Sequence, residues 1–313
     1  MSVATKSMER AEVLDRLIGR CRAGALDAVL IAGPTASGKS ALALDLAESF
    51  GGVVVNADSM QVYADLRVLS ARPSLAEEAR VTHEMYGFVP AWQAYSVGNY
   101  LRDMAPVLAR LKAAGRTAVI VGGTGLYFRA LTEGLIESPD IPSDVRARWQ
   151  QAADGGEDLH AALAARDPEA ARRLSPADLP RLQRALELHE TTGEPMSRLW
   201  QTRQGPPPLA PGRWQGVYLS PPRDVLNIRI DARFLQMIEA GALDEVRTIA
   251  TLGLPANRGV MKAHGMPHLL ASLNGDLPLA EAIARGQGDT RRYAKRQATW
   301  ARKFMAGWEW IAV

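Results

Sequence analysis

The stretch "GPTASGKS", Gly33 to Ser40, fits the spacing G-x-x-x-x-G-K-[ST] and sits between an apolar run, "DAVLIAG", and an amphipathic one, "SALALDLAESF". That spacing serves phosphate chemistry. Gly33 and Gly38 let the backbone N–H groups of Thr35, Ala36 and Ser37 turn inward, and the following helix N-terminus adds partial positive charge. Lys39 supplies a full charge and Ser40 a hydroxyl able to ligate Mg²⁺. A glycine-rich strand-to-helix turn that holds nothing is the bland alternative, and the strand-then-helix context argues against it. Which phosphate the loop holds stays open. An ATPase places an acid at the end of a neighbouring strand, yet "TAVIVGGTG" ends in glycines, and no Asn-Lys-x-Asp stretch reads guanine.

A second stretch, "VVVNADSMQVY", puts Asp58 just past an apolar strand and within reach of the phosphate loop. Asp58 could ligate Mg²⁺, act as a general base or cap a helix. Gln61 could pair with two edges of a base such as adenine, while Tyr63 could stack or fill core. In "VGGTGLYFRAL" a second glycine turn offers the Thr124 hydroxyl as a third wall of one pocket.

These stretches need a scaffold that brings them together. From about residue 27 to 135, short β-rich runs alternate with helical ones, which argues for a mostly parallel sheet covered by helices. All three stretches then fall at the carboxyl ends of strands, where such sheets bind ligands. Prolines in "ESPDIPSDVRARW" interrupt the pattern, and an Ala/Arg/Asp/Glu-rich helical region runs to about Trp200 before the stiff "GPPPLAPG". The expected architecture is an α/β, P-loop NTPase-like core of residues 1–138 and 211–313 with a helical insertion domain at 139–210. "WQGVYLS" returns the chain to the sheet, and amphipathic helices are expected from there to the end.

With 313 residues and 47% hydrophobic composition the chain can fill a sizeable core, and its net charge of +3 permits a polyanionic partner without requiring one. The single cysteine, Cys21, excludes an internal disulfide framework and fits a reducing compartment. The N-terminal "MSVATKSMERAEVLDRLIGR" lacks a signal-peptide core and reads as a frayed first helix, and no apolar run is long enough for a bilayer. A cytoplasmic protein without membrane contact is expected.

Taken in order, "GPTASGKS", "NADSMQVY", "GGTGLY", "RLQRALELHETTGEPMS" and "RRYAKRQATW" resemble the tRNA dimethylallyltransferase family, over about residues 30 to 302. Those enzymes prenylate the adenosine immediately 3′ of the anticodon. The resemblance implies that the loop holds dimethylallyl diphosphate rather than ATP, with Mg²⁺, and that the partner is the anticodon stem-loop of a tRNA acted on by a monomer. It implies Asp58 as the base for the adenosine N6 amine, and Arg233 in "NIRIDARFLQM", with Thr35, on the diphosphate. Arg233 alone would read as a solvent-facing helix residue. Further tRNA contacts implied are Asp58, Ser59, Met60 and Gln61, then Thr124 and Arg146, then Arg181, Leu182, Gln183 and Arg184, and finally Met261, Lys262, His264, Gly265 and Met266.

Basic residues of the insert, Arg146, Arg148, Arg172, Arg173, Arg181 and Arg184, could clasp an RNA stem, though a solvated helical face explains them equally well. The C-terminal "ARGQGDTRRYAKRQATWARKF", with seven basic residues, one acid and interleaved aromatics, points more firmly to nucleic acid. Two stretches depart from the family pattern: "KAHGMPHLL", where a Gly-Tyr pair is usual, and "TWARKF", which lacks one aromatic. His264 and His268 are interrupted by Pro267 and do not read as a zinc site. A P-loop kinase using Asp58 on a hydroxyl, and a non-catalytic RNA-binding protein, are the competing readings.

Overall fold

The structure is a computed structural model and describes residues 3–135, 139–200 and 206–313. The chain divides into two compact units, residues 1–132 with 208–313, and residues 133–207. The expected boundary at residue 138 lies outside the described residues.

The first unit is built on a six-stranded sheet, all of whose pairings are parallel. Its strands are β1 (Ala28–Ala32), β2 (Val53–Asn56), β3 (His83–Glu84), β4 (Ala118–Gly122), β5 (Trp214–Ser220) and β6 (Glu309–Ala312), in the spatial order β3-β2-β4-β1-β5-β6. β1, β2 and β4 are buried at every residue, as expected of parallel strands covered on both faces. Period-two alternation sorts their side chains. Leu30, Val53, Val55 and Ile120 meet Tyr127 and Phe128 on one face, while Val29, Ile31, Val54 and Val121 meet Leu42 and Leu46 on the other.

Helix α1 (Val3–Arg22) precedes β1, α2 (Lys39–Phe50), α3 (Leu75–Arg80) and α4 (Val97–Ala113) connect the first four strands, and α5 (Gly125–Glu133) follows β4. The second unit carries α6 (Ser143–Asp154), α7 (Leu159–Ala164), α8 (Pro168–Arg173), α9 (Leu179–Thr192) and α10 (Met196–Leu199) around its own core of Trp149, Leu159, Leu163, Leu182 and Leu186. After β5 come α11 (Arg223–Glu239), α12 (Ala242–Ala250), a 3₁₀ turn at Gly259–Lys262, α13 (Met266–Leu273) and the 26-residue α14 (Leu279–Phe304). A third cluster joins the segment after β2, through Val62 and Tyr63, to Phe234, Val246, Ile249 and Leu269 of these helices.

The chain is not helical to its end: β6 follows α14 and pairs with β5. Gly216 of β5 makes room for this, since a Cβ there would lie 2.2 Å from the Trp308 ring. Among the described residues no helix is long and apolar enough to cross a membrane.

Leu30 is fully buried at the centre of β1, whereas Ile228 on α11 is 70% exposed. By urea titration, Leu30→Ala is expected to cost about 2–5 kcal/mol and Ile228→Ala no more than about 0.5 kcal/mol.

Candidate active site

β1 leads through Gly33 into a turn in which Ala36 (φ 62°) and Gly38 (φ 87°) take left-handed conformations before α2 begins at Lys39. A non-glycine residue at positive φ is strained, and here it belongs to the tight turn between β1 and α2. Ser37 is 2% exposed, and its Oγ finds no hydrogen-bond partner among the described residues. Lys39 is half-buried and donates to the Pro34 carbonyl at 3.3 Å. Burial pushes its ammonium down to about 8; the Arg233 charge lowers it further while the Asp58 carboxylate opposes. A cation whose pKa is lowered by burial, beside an unpartnered buried hydroxyl in a glycine-rich turn, suits an anion.

The segment after β2 is held by Asn56, a fully buried polar side chain at the strand's end. Its Nδ2 donates to the Asp58 and Met85 carbonyls at 2.9 and 3.0 Å, and its Oδ1 accepts from the Asp58 N–H at 2.8 Å. The Asp58 carboxylate accepts from the Met60 N–H at 3.0 Å. No helix follows it. The capping alternative therefore gives way to an Asx turn, which orients the carboxylate from its own backbone. Thr124 Oγ1 accepts from the Ser59 N–H at 2.9 Å, tying the turn after β4 to this segment.

Gln61 commits both amide hydrogens to the carbonyls of Ser70 and Ala71, at 3.0 and 2.9 Å, so it braces a loop wall and keeps only its oxygen for a base. Tyr63 is 1% exposed and fills core.

Thr35, Asp58, Met60 and Arg233 line one cavity together with Ile230, Phe234, Met237, His264, Tyr293 and Gln297. Arg233 thus faces the cavity rather than solvent. Burial lowers its guanidinium pKa and Asp58 opposes the shift, but it stays a cation at neutral pH. His264 packs on Tyr293 with ring centroids 4.3 Å apart. Burial lowers its pKa, with Arg296 acting the same way and Asp58 and Asp289 opposing, so it forms a neutral aromatic wall at neutral pH. Asp58 is the only carboxylate among the lining residues. Asn56, Tyr293 and Gln297 lie within "NADSMQVY" and "RRYAKRQATW", stretches that carry the family resemblance, but the sequence marks none of the three with a role of its own.

The chain matches the IPP transferase family model over residues 61–304 and the isopentenyl transferase model over residues 26–87. The chain belongs to the IPP transferase family. It is 55% identical over 287 residues to a tRNA dimethylallyltransferase of Methylobacterium nodulans, covering 91% of this chain and 94% of the relative. One from Azorhizobium caulinodans is 54% identical, covering 90% of each. Among solved structures, the tRNA isopentenylpyrophosphate transferase of Bacillus halodurans is 31% identical with a TM-score of 0.65, covering 91% of this chain and 89% of its own. A eukaryotic dimethylallyltransferase acting on tRNA is 26% identical with a TM-score of 0.79, covering 92% and 74%.

Other positions to which the IPP transferase resemblance assigned RNA contact are placed less uniformly. Met261 and Met266 are buried in the third cluster and Gly265 turns into α13 at φ 89°, while Lys262 is exposed. In the second unit Arg146 and Arg181 are exposed and Leu182 is core. Gln183 and Arg184 both reach Glu187, at 3.1 and 3.7 Å.

A divalent cation would find Ser40 exposed at the start of α2, with no group of three acidic, His or Cys side chains among the described residues. That donor set fits Mg²⁺, which draws most of its ligands from phosphate oxygens and water.

Asn56→Ala leaves buried carbonyls unpaired and frees the Asp58 segment. An unfolding-stability loss of about 1–3 kcal/mol is expected, measured by chemical denaturation, together with a lowered turnover number that exceeds any change in KM.

Proposed function

We propose that this protein is a tRNA dimethylallyltransferase, carrying the dimethylallyl group of dimethylallyl diphosphate to the N6 amine of the adenosine immediately 3′ of the anticodon. The products are N6-isopentenyladenosine and diphosphate. The observation that carries the reading is one cavity in which Thr35, at the start of the phosphate loop, and Arg233 are lined up with a lone carboxylate, Asp58, among apolar walls. A leaving diphosphate and a base for an amine need that pairing. Dimethylallyltransferases more than half identical to the chain support it.

The N6 lone pair attacks C1 of the prenyl group as the C1–O bond breaks and its electron pair leaves with the diphosphate. Asp58 takes the N6 proton. The amine is a poor nucleophile because its lone pair is delocalised into the ring, and general-base help is worth about 10²- to 10⁴-fold. The loop from Thr35 to Ser40, with the Lys39 and Arg233 side chains, holds the diphosphate and neutralises the charge that grows on it. Ser40 would hold Mg²⁺, which when bound would supply further neutralisation of the leaving group's charge. Apolar Met60, Ile230, Phe234 and Met237 exclude water from a reactive allylic centre.

The acceptor base reaches such a cavity by leaving its stack. In this reading Asp58 to Gln61 and Thr124 meet the flipped nucleotide. Of the positions assigned to RNA, the exposed Arg146, Arg181 and Lys262 serve the surrounding RNA. Every group invoked comes from one chain, so a monomer suffices.

Purified protein incubated with Mg²⁺, unmodified tRNA and either radiolabelled dimethylallyl diphosphate or γ-labelled ATP should place label in the RNA from the first donor only. Label from ATP alone would make the protein a kinase. Asp58→Ala should lower turnover by about 10²- to 10⁴-fold while tRNA affinity by filter binding holds. Lys39→Ala should weaken donor binding, and an unchanged donor affinity would count against the cradle.

A further inference from the structure

The phosphate loop follows β1 and Asp58 follows β2, yet these strands are not neighbours, because β4 lies between them. Something has to hold the donor loop and the base in register across the turn after β4. Gln297, on α14, is placed to do so. Its Oε1 accepts the Thr35 N–H at 3.1 Å and its Nε2 donates to the Gly123 carbonyl at 2.9 Å. From Gly123 the links continue: the Thr124 N–H donates to the Ala57 carbonyl at 3.2 Å and Thr124 Oγ1 accepts from Ser59.

Gln297 also occupies a boundary. It and Tyr293 line the cavity of Asp58 and Arg233, and equally a second cavity walled by Gly33, Gly123 to Leu126, Tyr218 and Trp300. The fit on the β4 side is close: a Cβ at Gly123 would stand 2.2 Å from Gln297 Nε2 and 3.2 Å from Asp58 Oδ2.

We propose that Gln297 is a positioning residue for the transfer reaction, its carboxamide fixing the distance between the donor cradle and Asp58 by bridging Thr35 to Gly123. The inference rests on the prenyl-transfer reading. It does not touch the reacting atoms itself; it sets where C1 of the donor stands relative to the N6 amine. Displacement collinear with the departing diphosphate needs reacting atoms about 3–3.5 Å apart, and an error of about 1 Å costs on the order of 10²-fold in rate.

The test is steady-state kinetics of prenyl transfer for the wild type, Gln297→Ala, Gly123→Ala and the double variant, with both substrates varied. Gln297→Ala is expected to lower kcat by about 10²-fold with KM for donor and tRNA within about threefold, the signature of a contact that matters on the way to the transition state. Gly123→Ala should do the same, because its methyl displaces the carboxamide. Once Gln297 is alanine that clash is gone, so adding Gly123→Ala should cost markedly less than it does in the wild type. Gln297→Glu, of equal size, keeps the acceptor for Thr35 and loses the donor to Gly123. It should reproduce the kcat loss and carries the same test where the alanine variant fails to fold.

An unchanged kcat, a loss confined to KM, or penalties that multiply in the double variant would each overturn the assignment. A wild type that transfers no prenyl label would instead sink the underlying reaction.

Discussion

Three loops have to meet at one end of the sheet, and the middle one has almost no room. With the order β2-β4-β1, the turn leaving β4 is wedged between the segment bearing Asp58 and the loop bearing Lys39. Side-chain-free residues are what allow it. A Cβ at Gly122 would stand 2.1 Å from the Ala57 carbonyl oxygen, and one at Gly125 2.4 Å from the Trp300 ring. Much of the site depends on that thin partition. Asp58 reaches the cavity shared with Arg233 and Thr35, and α14 lies close enough to deliver Tyr293 and Gln297. The same turn places glycines at the strand end where an ATPase would keep an acid.

Electrostatics complete the picture. Lys39 and Arg233 are drawn into the protein against a single lining carboxylate, and both are pushed below their ordinary values by burial. Cations held under such conditions favour a multiply charged anion over water. In the proposed reaction a diphosphate would satisfy them both on the donor and as the leaving group. His264, held neutral by its burial, adds an apolar flank without adding to the positive charge.

The sequence announced the central strands because burial on both faces writes them as unbroken apolar runs: "AVLIA", "VVV" and "AVIV". Edge strands left less trace. His83–Glu84 is too short to show any alternation, and Glu309–Ala312 follows a long basic helix whose periodicity dominates the tail. The phosphate loop and Asp58 were legible because their chemistry is concentrated in contiguous residues. Asn56 and Gln297 were not, since each acts through single hydrogen bonds to backbone atoms brought near by the fold, and no spacing marks such partners. Arg233 is intermediate: its helix is readable, but which face of that helix meets the cavity depends on tertiary packing. Met261 and Met266 show the converse, positions flagged for RNA contact that the packing makes core.

The bond from Thr35 to Gln297 joins positions 262 residues apart. During synthesis the phosphate loop emerges early, passes through the whole of the interposed helical unit untied, and meets its amide partner only when α14 has been made. Closing so long a loop is entropically costly and slow compared with forming local helices. A nascent chain halted before residue 297 therefore has the phosphate loop and its local turn but not the tie from Thr35 to α14.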